Sequence, residues 1–248
     1  LSVRNHFDIQ YGKILPRRRS ALEQKGVLEG LKKKKSLTKH SSPTLHAWIS
    51  HAFFFDDTGI DGGKLIWMNV VRDPVERFIS NFNWNQRRAS FRTRRLKIWG
   101  VNPEEYYNLN LDECAAANHS LCTWTIYPYG ELQLSFFCGQ APACSERNNS
   151  WALQRAKYHV EKYYSVVGLL EEPSYTYALL EAYIPSFFQD IKMIKPEKVA
   201  INVAGSSKKK PVSNETRMLL RNNLAGDYEF YNYCRQRLYS QAKTLGLQ

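Results

Sequence analysis

Lys64-Leu65-Ile66-Trp67-Met68-Asn69-Val70-Val71-Arg72-Asp73-Pro74-Val75-Glu76-Arg77-Phe78-Ile79-Ser80 is the stretch on which the fold turns. Lys64 to Val71 is a short, nearly continuous apolar run rich in β-formers that follows Asp61-Gly62-Gly63, a pattern that reads as a buried strand of a parallel sheet. A sharp helix start comes next. Asp73 supplies an N-cap oxygen, Pro74 suits the first helical position, and Glu76 completes a capping-box-like arrangement. Val75, Phe78, Ile79 and Phe82 then recur at helical spacing, so the unit is strand, turn, helix.

The same alternation recurs downstream. Ser150 caps a helix expected over Trp151 to Tyr164, Ser165 to Leu170 reads as a second buried strand, and Ser174 to Ile184 as a helix stopped by Pro185. A short helix is expected near Ser213, then a longer one from Asp227 to Thr244 whose Phe230, Tyr231, Cys234 and Leu238 make one apolar stripe. Upstream, residues 1–44 are basic and partly irregular, with a helix expected around Ala21 to Leu31. The expectation is an α/β protein, a parallel sheet flanked by helices, in which ligands bind at the carboxyl ends of strands. The junction from Val71 to Asp73 is such an end. The organisation reads as one domain over residues 1–248, with its core in 45–248.

Composition narrows the function. Of 248 residues 43% are apolar, enough for a sizeable core, and 35 Lys and Arg against 23 Asp and Glu give a formal charge of +12. Disorder is disfavoured, and no apolar run approaches the ~18 residues of a spanning helix. The charge is clustered at Arg17 to Arg19, Lys32 to Lys35, Arg87 to Lys97 and Lys208-Lys209-Lys210. A polyanionic partner fits this, while any single lysine run also reads as a solvated face. In the third cluster Arg87, Arg88, Arg92, Arg94 and Arg95 stand without an acid, and arginine forks suit sulfate, phosphate and carboxylate.

Four of the five cysteines, Cys114, Cys122, Cys138 and Cys144, fall in a short segment with no Cys-x-x-Cys pair and no histidine at zinc-finger spacing, so no metal site is expected. Local pairs 114–122 and 138–144 are favoured; three pairings are formally open, and reduced buried thiols are the alternative. The role of the fifth, Cys234, is open. Sequons at Asn118, Asn148 and Asn214 agree with a secretory lumen, although about two are expected by chance.

Arg72 at the end of the strand and Ser80 about two turns into the helix are spaced to meet one anion, aided by the helix N-terminus. The structural alternative pairs Arg72 with Asp73 or Glu76 and leaves Ser80 as packing. The string Val71 to Ser80, together with Phe136-Phe137-Cys138-Gly139-Gln140, Trp151 to Lys157, Val167 to Glu172 and Tyr228-Glu229-Phe230-Tyr231, resembles the glycosaminoglycan uronyl 2-O-sulfotransferase family, the branch of uronyl and heparan sulfate 2-O-sulfotransferases. The resemblance covers nearly the whole chain. It implies a P-loop-type sulfotransferase fold and transfer of a sulfuryl group from 3′-phosphoadenosine 5′-phosphosulfate (PAPS) to the 2-hydroxyl of a uronic acid in a sulfated glycosaminoglycan.

It further implies Arg72 and Ser80 as 3′-phosphate ligands and His51 as catalytic base, a role imidazole suits near neutral pH. By itself, a histidine beside Phe53-Phe54-Phe55 reads as a hydrogen-bonded core residue. Lys208, Lys209 and Lys210 match a late basic loop over the nucleotide. Arg87 to Arg95 fall in the polysaccharide-contacting region, and the clustered cysteines match two local disulfides. The implied residence is the Golgi lumen, with membrane attachment only through an upstream anchor; homo-oligomerisation is left open.

One departure matters. The family's phosphate loop, Lys-x-Gly/Ala-Ser after an apolar strand, does not occur here. The expectation is therefore a catalytic domain lacking that N-terminal unit, either by truncation or in a catalytically inactive glycosaminoglycan-binding relative. A nucleic-acid-binding module, suggested by charge alone, predicts reduced thiols and is disfavoured.

Overall fold

The computed structural model describes residues 7–11, 24, 29, 45–49, 52–55, 65–87, 104, 108–118, 122, 132–193 and 211–247. Four strands and eight α-helices are found among them. They run β1 (Phe7–Tyr11), β2 (Leu45–Ile49), β3 (Trp67–Val71), α1 (Pro74–Arg87), α2 (Leu111–Ala116), α3 (Gln133–Cys138), α4 (Ser150–Tyr163), β4 (Tyr164–Leu169), α5 (Pro173–Tyr183), α6 (Pro185–Phe188), α7 (Asn214–Asn223) and α8 (Ala225–Thr244). β1 pairs parallel with β2, Phe7 opposite Leu45. β3 pairs parallel with β4, Val71 opposite Leu169, with an irregularity between Trp67 and Met68. The architecture is α/β, with parallel strand pairs flanked by helices.

β4 is the buried centre. Val166, Val167 and Leu169 are sealed, with α5 and α8 packed against the strand. The stripe foreseen on α8 faces inward through Phe230, Tyr231, Cys234 and Leu238. On α1, Val75, Phe78, Ile79 and Phe82 are buried, each apolar side chain contributing about 1.5–3 kcal/mol by leaving water. Gly168 is required by a close approach: a β-carbon there would stand 2.3 Å from Thr176 Cγ2. The Thr176 hydroxyl takes the Leu169 N–H at 2.9 Å and donates to the Leu169 carbonyl at 3.0 Å, tying α5 to the strand end.

Several expectations are corrected. β3 is not buried on both faces: Met68 and Val70 are 41% and 44% exposed, while Val71 is buried. Strand Phe7–Tyr11 lies inside the segment read as basic and partly irregular, where no strand was expected, and β2 was not foreseen. Its partner 38 positions downstream, not local periodicity, makes β1 a strand. The cap of α4 is Asn149, whose Oδ1 accepts from Ala152 N–H at 2.9 Å, and not Ser150. Pro185 follows the end of α5 but also opens α6, because a proline at a first helical position gives up no hydrogen bond. Of the helix expected around Ala21 to Leu31, Gln24 and Glu29 are helical and the rest lies outside the described residues.

Disulfides join Cys114 to Cys122 and Cys138 to Cys144, the pairs favoured by spacing. Cys234 is free and buried, and desolvation pushes its thiol far up, which keeps it an inert core residue. Among the described residues no helix is long and apolar enough to cross a membrane, and no group of three or more His, Cys, Asp or Glu is placed to hold a metal.

Candidate functional site

The site is built around the residue that leaves β3. The ladder with β4 closes as Leu170 N–H donates to the Val71 carbonyl at 2.9 Å. Beyond it, the Gln133 side chain grips Arg72. The Arg72 N–H donates to Gln133 Oε1 at 2.8 Å, and Gln133 Nε2 donates to the Arg72 carbonyl at 2.6 Å. A primary amide offers the same donor and acceptor pair as a neighbouring strand, so the backbone at Arg72 is held as if the sheet continued.

Gln133 is itself fixed. Buried Asp227 accepts the Gln133 N–H at 3.0 Å and the Leu134 N–H at 3.1 Å. Desolvation pushes the Asp227 carboxyl up, opposed by the Arg77 charge and those two amides. This carboxylate therefore caps the otherwise uncapped start of α3.

Asp73 performs the capping expected of it, accepting from Val75 N–H at 2.9 Å and Glu76 N–H at 3.0 Å. The reciprocal half is not supplied by Glu76. Glu171 Oε1 takes the Asp73 N–H at 2.9 Å, so Glu171 braces the turn. The Tyr228 hydroxyl donates to both Asp73 oxygens at 2.9 Å, and the Tyr231 hydroxyl donates to Glu171 at 3.2 Å. Burial first, then the partner carboxylate, pushes both phenols up, so each stays a protonated donor. The Arg221 guanidinium lies 4.2 Å over the Tyr228 ring.

Beside this turn is a cavity of about 180 Å³ lined by Arg72, Glu76, Ile79, Ser80, Pro211, Val212 and Arg217. Arg72 and Ser80 thus reach one space, from the strand end and from α1. Asp73 is engaged by the helix amides and Tyr228, and Glu76 by Arg217. Among the described residues no carboxylate pairs with the Arg72 guanidinium, and none hydrogen-bonds the Ser80 hydroxyl. The pairing of Arg72 with Asp73 or Glu76, the structural alternative, is not what is found.

The far wall comes from α7. The Ser213 hydroxyl caps it, accepting Thr216 N–H at 3.1 Å, and the Ser213 N–H donates to the Asp112 carboxylate of α2 at 3.1 and 3.2 Å. Burial works against the ionised Asp112, but hydrogen bonds from Thr216 and Ser213 and the Arg217 charge outweigh it and hold the carboxyl below its usual range. Arg217 pairs with Glu76 and directs Nε at the Val212 carbonyl at 3.4 Å. Two guanidinium groups and one carboxylate therefore line the cavity, a net positive charge suited to an anion.

The other sequence candidates are placed as follows. His51, Arg88, Arg92, Arg94, Arg95, Lys208, Lys209 and Lys210 lie outside the described residues, as does the side chain of Arg87, the last residue of α1. The segment following His51 is anchored: Phe53, Phe54 and Phe55 are buried, Phe54 N–H donates to the Phe136 carbonyl at 2.7 Å, and Gln140 Nε2 donates to the Phe53 and Phe54 carbonyls at 3.2 Å. Asn118, Asn148 and Asn214 are all exposed. Asn118 and Asn148 adopt positive φ, which asparagine tolerates, and Asn148 Oδ1 accepts from Gly226 N–H at 2.9 Å.

Sequence reasoning missed Gln133, Asp227 and Arg217. Their partners lie 61, 94 and 141 positions away, beyond any local pattern. One signal was present: Tyr228-Glu229-Phe230-Tyr231 was recognised as a block without a role, and its two tyrosines hold the carboxylates of the turn.

A family model described as "Sulfotransferase family" matches residues 20–234. The chain is 35% identical over 218 residues to the uronyl 2-sulfotransferase homolog pip of Drosophila melanogaster, covering 82% of this chain and 42% of that protein. It is 31% identical over 224 residues to uronyl 2-sulfotransferase of Mus musculus, covering 86% and 52%. With heparan sulfate 2-O-sulfotransferase 1 of Xenopus laevis it shares 31% over 192 residues, covering 74% and 50%. The chain spans about half the length of the curated relatives it matches.

Proposed function

The chain belongs to the sulfotransferase family, and from that premise we propose that it moves a sulfuryl group from PAPS to the 2-hydroxyl of uronic acid residues in a glycosaminoglycan, of the dermatan, chondroitin or heparan type. The observation that carries this reading is the convergence of Arg72 and Ser80 on one cavity at the carboxyl end of a parallel strand. The donor set fits a phosphate monoester: a guanidinium fork without a described carboxylate partner, a hydroxyl, and the adjoining start of α1. A cavity of about 180 Å³ suits the phosphate end of the nucleotide. Pro211 and Val212 line it, and they directly follow Lys208 to Lys210, which supports the basic loop as a cover over the nucleotide.

In this reading PAPS supplies an activated sulfuryl group on a phosphate leaving group. Arg72 and Ser80 orient it through the 3′-phosphate, and Gln133, Asp73 and Glu171 hold the turn that aims Arg72. His51 accepts the proton of the uronic acid hydroxyl as that oxygen attacks in line. The segment after His51 is fixed against Phe136 and Gln140, which favours a stationary base. Arg87, Arg88, Arg92, Arg94 and Arg95 provide cationic contacts for the polysaccharide. Residence in the Golgi lumen accords with the disulfides and exposed sequons.

One observation favours a second reading, a glycosaminoglycan-binding relative without catalysis: these residues contain no Lys-x-Gly/Ala-Ser loop to stabilise the leaving 5′-phosphate. Transfer of labelled sulfate from PAPS to desulfated dermatan and heparan, compared between the chain and its His51→Ala variant, separates the two. The enzyme reading expects transfer that the substitution abolishes. Polysaccharide binding without His51-dependent transfer establishes the other.

A further inference from the structure

The cavity holds a second guanidinium to which the family resemblance gave no role. Arg217 stands on the first turn of α7, 141 positions from the Glu76 it pairs with. Two corners of its fork are engaged, Nη1 by Glu76 and Nε by the Val212 carbonyl, and among the described residues Nη2 has no partner. The group is thus fixed in direction with donor capacity remaining, while it lines the same cavity as Arg72 and Ser80. Asp112 feels the Arg217 charge but does not line the cavity.

Resting on the function proposed above, we propose that Arg217 is a second arginine ligand of the nucleotide's 3′-phosphate, and that Glu76 holds it in place while opposing the bound anion. Two opposed arginines let a dianionic phosphate monoester be gripped from strand end and α7 together. A nucleotide lacking the 3′-phosphate gains nothing from either. Arg217 is then a discriminator between nucleotides with and without that group. Glu76 faces the anion with a negative charge, so its two effects, orienting Arg217 and repelling the ligand, have opposite signs. The ion pair is also too exposed, with side chains 39% and 41% accessible, to serve mainly as a folding brace.

The test is calorimetric binding of 3′-phosphoadenosine 5′-phosphate and of adenosine 5′-monophosphate to the full chain and four variants. Arg217→Gln is expected to weaken the bisphosphate about 10- to 100-fold and leave the monophosphate unchanged, as for loss of a charge-assisted hydrogen bond. Arg217→Lys, keeping charge without the fork, falls between and carries the test if the glutamine variant folds poorly. Glu76→Gln, retaining an oxygen for Arg217 without the charge, binds the bisphosphate at least as tightly as the parent.

The inference is overturned if Arg217→Gln binds the bisphosphate within about twofold of the parent. It is equally overturned if Arg217→Gln and Glu76→Gln weaken both nucleotides together, which is the signature of a brace. Arg72→Ala separates the levels. If it alone abolishes the preference for the bisphosphate, the donor site stands and Arg217 drops out. If the parent shows no preference, the proposed function and this inference fall together.

Discussion

Replacing Gln133 by alanine should loosen the turn that aims Arg72. The side chain exchanges two hydrogen bonds with the Arg72 backbone, at 2.8 and 2.6 Å, and the residue itself is 6% exposed. Arg72 is half-buried, so water compensates its freed N–H and carbonyl in part, and each bond is assigned about 1 kcal/mol. The pair contributes about 2 kcal/mol, which for a chain of this size lowers the melting temperature by roughly 4–8 °C. Binding must then restore order to the turn, and about 1 kcal/mol of that cost corresponds to about a fivefold loss of affinity for 3′-phosphoadenosine 5′-phosphate. Gln133→Glu should fare no better, because it keeps an acceptor for the Arg72 N–H but sets an oxygen against the Arg72 carbonyl. Thermal denaturation followed by circular dichroism, with calorimetric titration, reads both effects. A Gln133→Ala protein melting within about 1 °C of the parent and binding within about twofold would refute the clasp.

Three further outcomes are expected. Tyr228→Phe removes the hydroxyl that donates to both Asp73 oxygens; the partly exposed site puts the loss at about 1 kcal/mol, visible in urea denaturation, and an unchanged midpoint would count against the bond. Gly168→Ala forces a β-carbon to 2.3 Å from Thr176 Cγ2 and should destabilise by about 1–3 kcal/mol by overpacking, an effect that Thr176→Ser in the same chain should partly relieve. Folding lowers the Asp112 pKa, so its contribution is present above the unfolded carboxylate pKa of about 4 and is lost as pH falls through the lowered value; the stability gap between the parent and Asp112→Asn should close on acidification, and a gap that widens would reverse the assignment.

What the sequence disclosed and what it withheld divide along chain distance. The β3–α1 unit was legible because its determinants are adjacent: an apolar run, an aspartate that caps, a proline at the first helical position, and apolar side chains at helical spacing. Both disulfides were legible for the same reason, each closing a short loop. The cap of α4 slipped by one residue because Asn149 and Ser150 are both competent and only the backbone angle chooses. β1 was missed because five residues carry little pattern and the strand depends on a remote partner. Arg72 and Ser80 were singled out by their spacing and by family resemblance, and both line the cavity. The groups that hold Arg72 were not, since Gln133 approaches from the start of another helix and Asp227 from a third. Glu171 carries no local sign of its role, since its carboxylate reaches an N–H 98 positions away at Asp73.

The central claim is that Arg72 and Ser80 grip the ribose-linked phosphate of the donor nucleotide. A ³¹P resonance titration of 3′-phosphoadenosine 5′-phosphate bound to the chain, followed against pH, examines that phosphate alone. With guanidinium donors favouring the dianion, the 3′-phosphate should ionise well below its ordinary second pKa of about 6, and Arg72→Ala should move it back toward the free value. A 3′-phosphate that titrates in the complex as it does in solution would contradict the account.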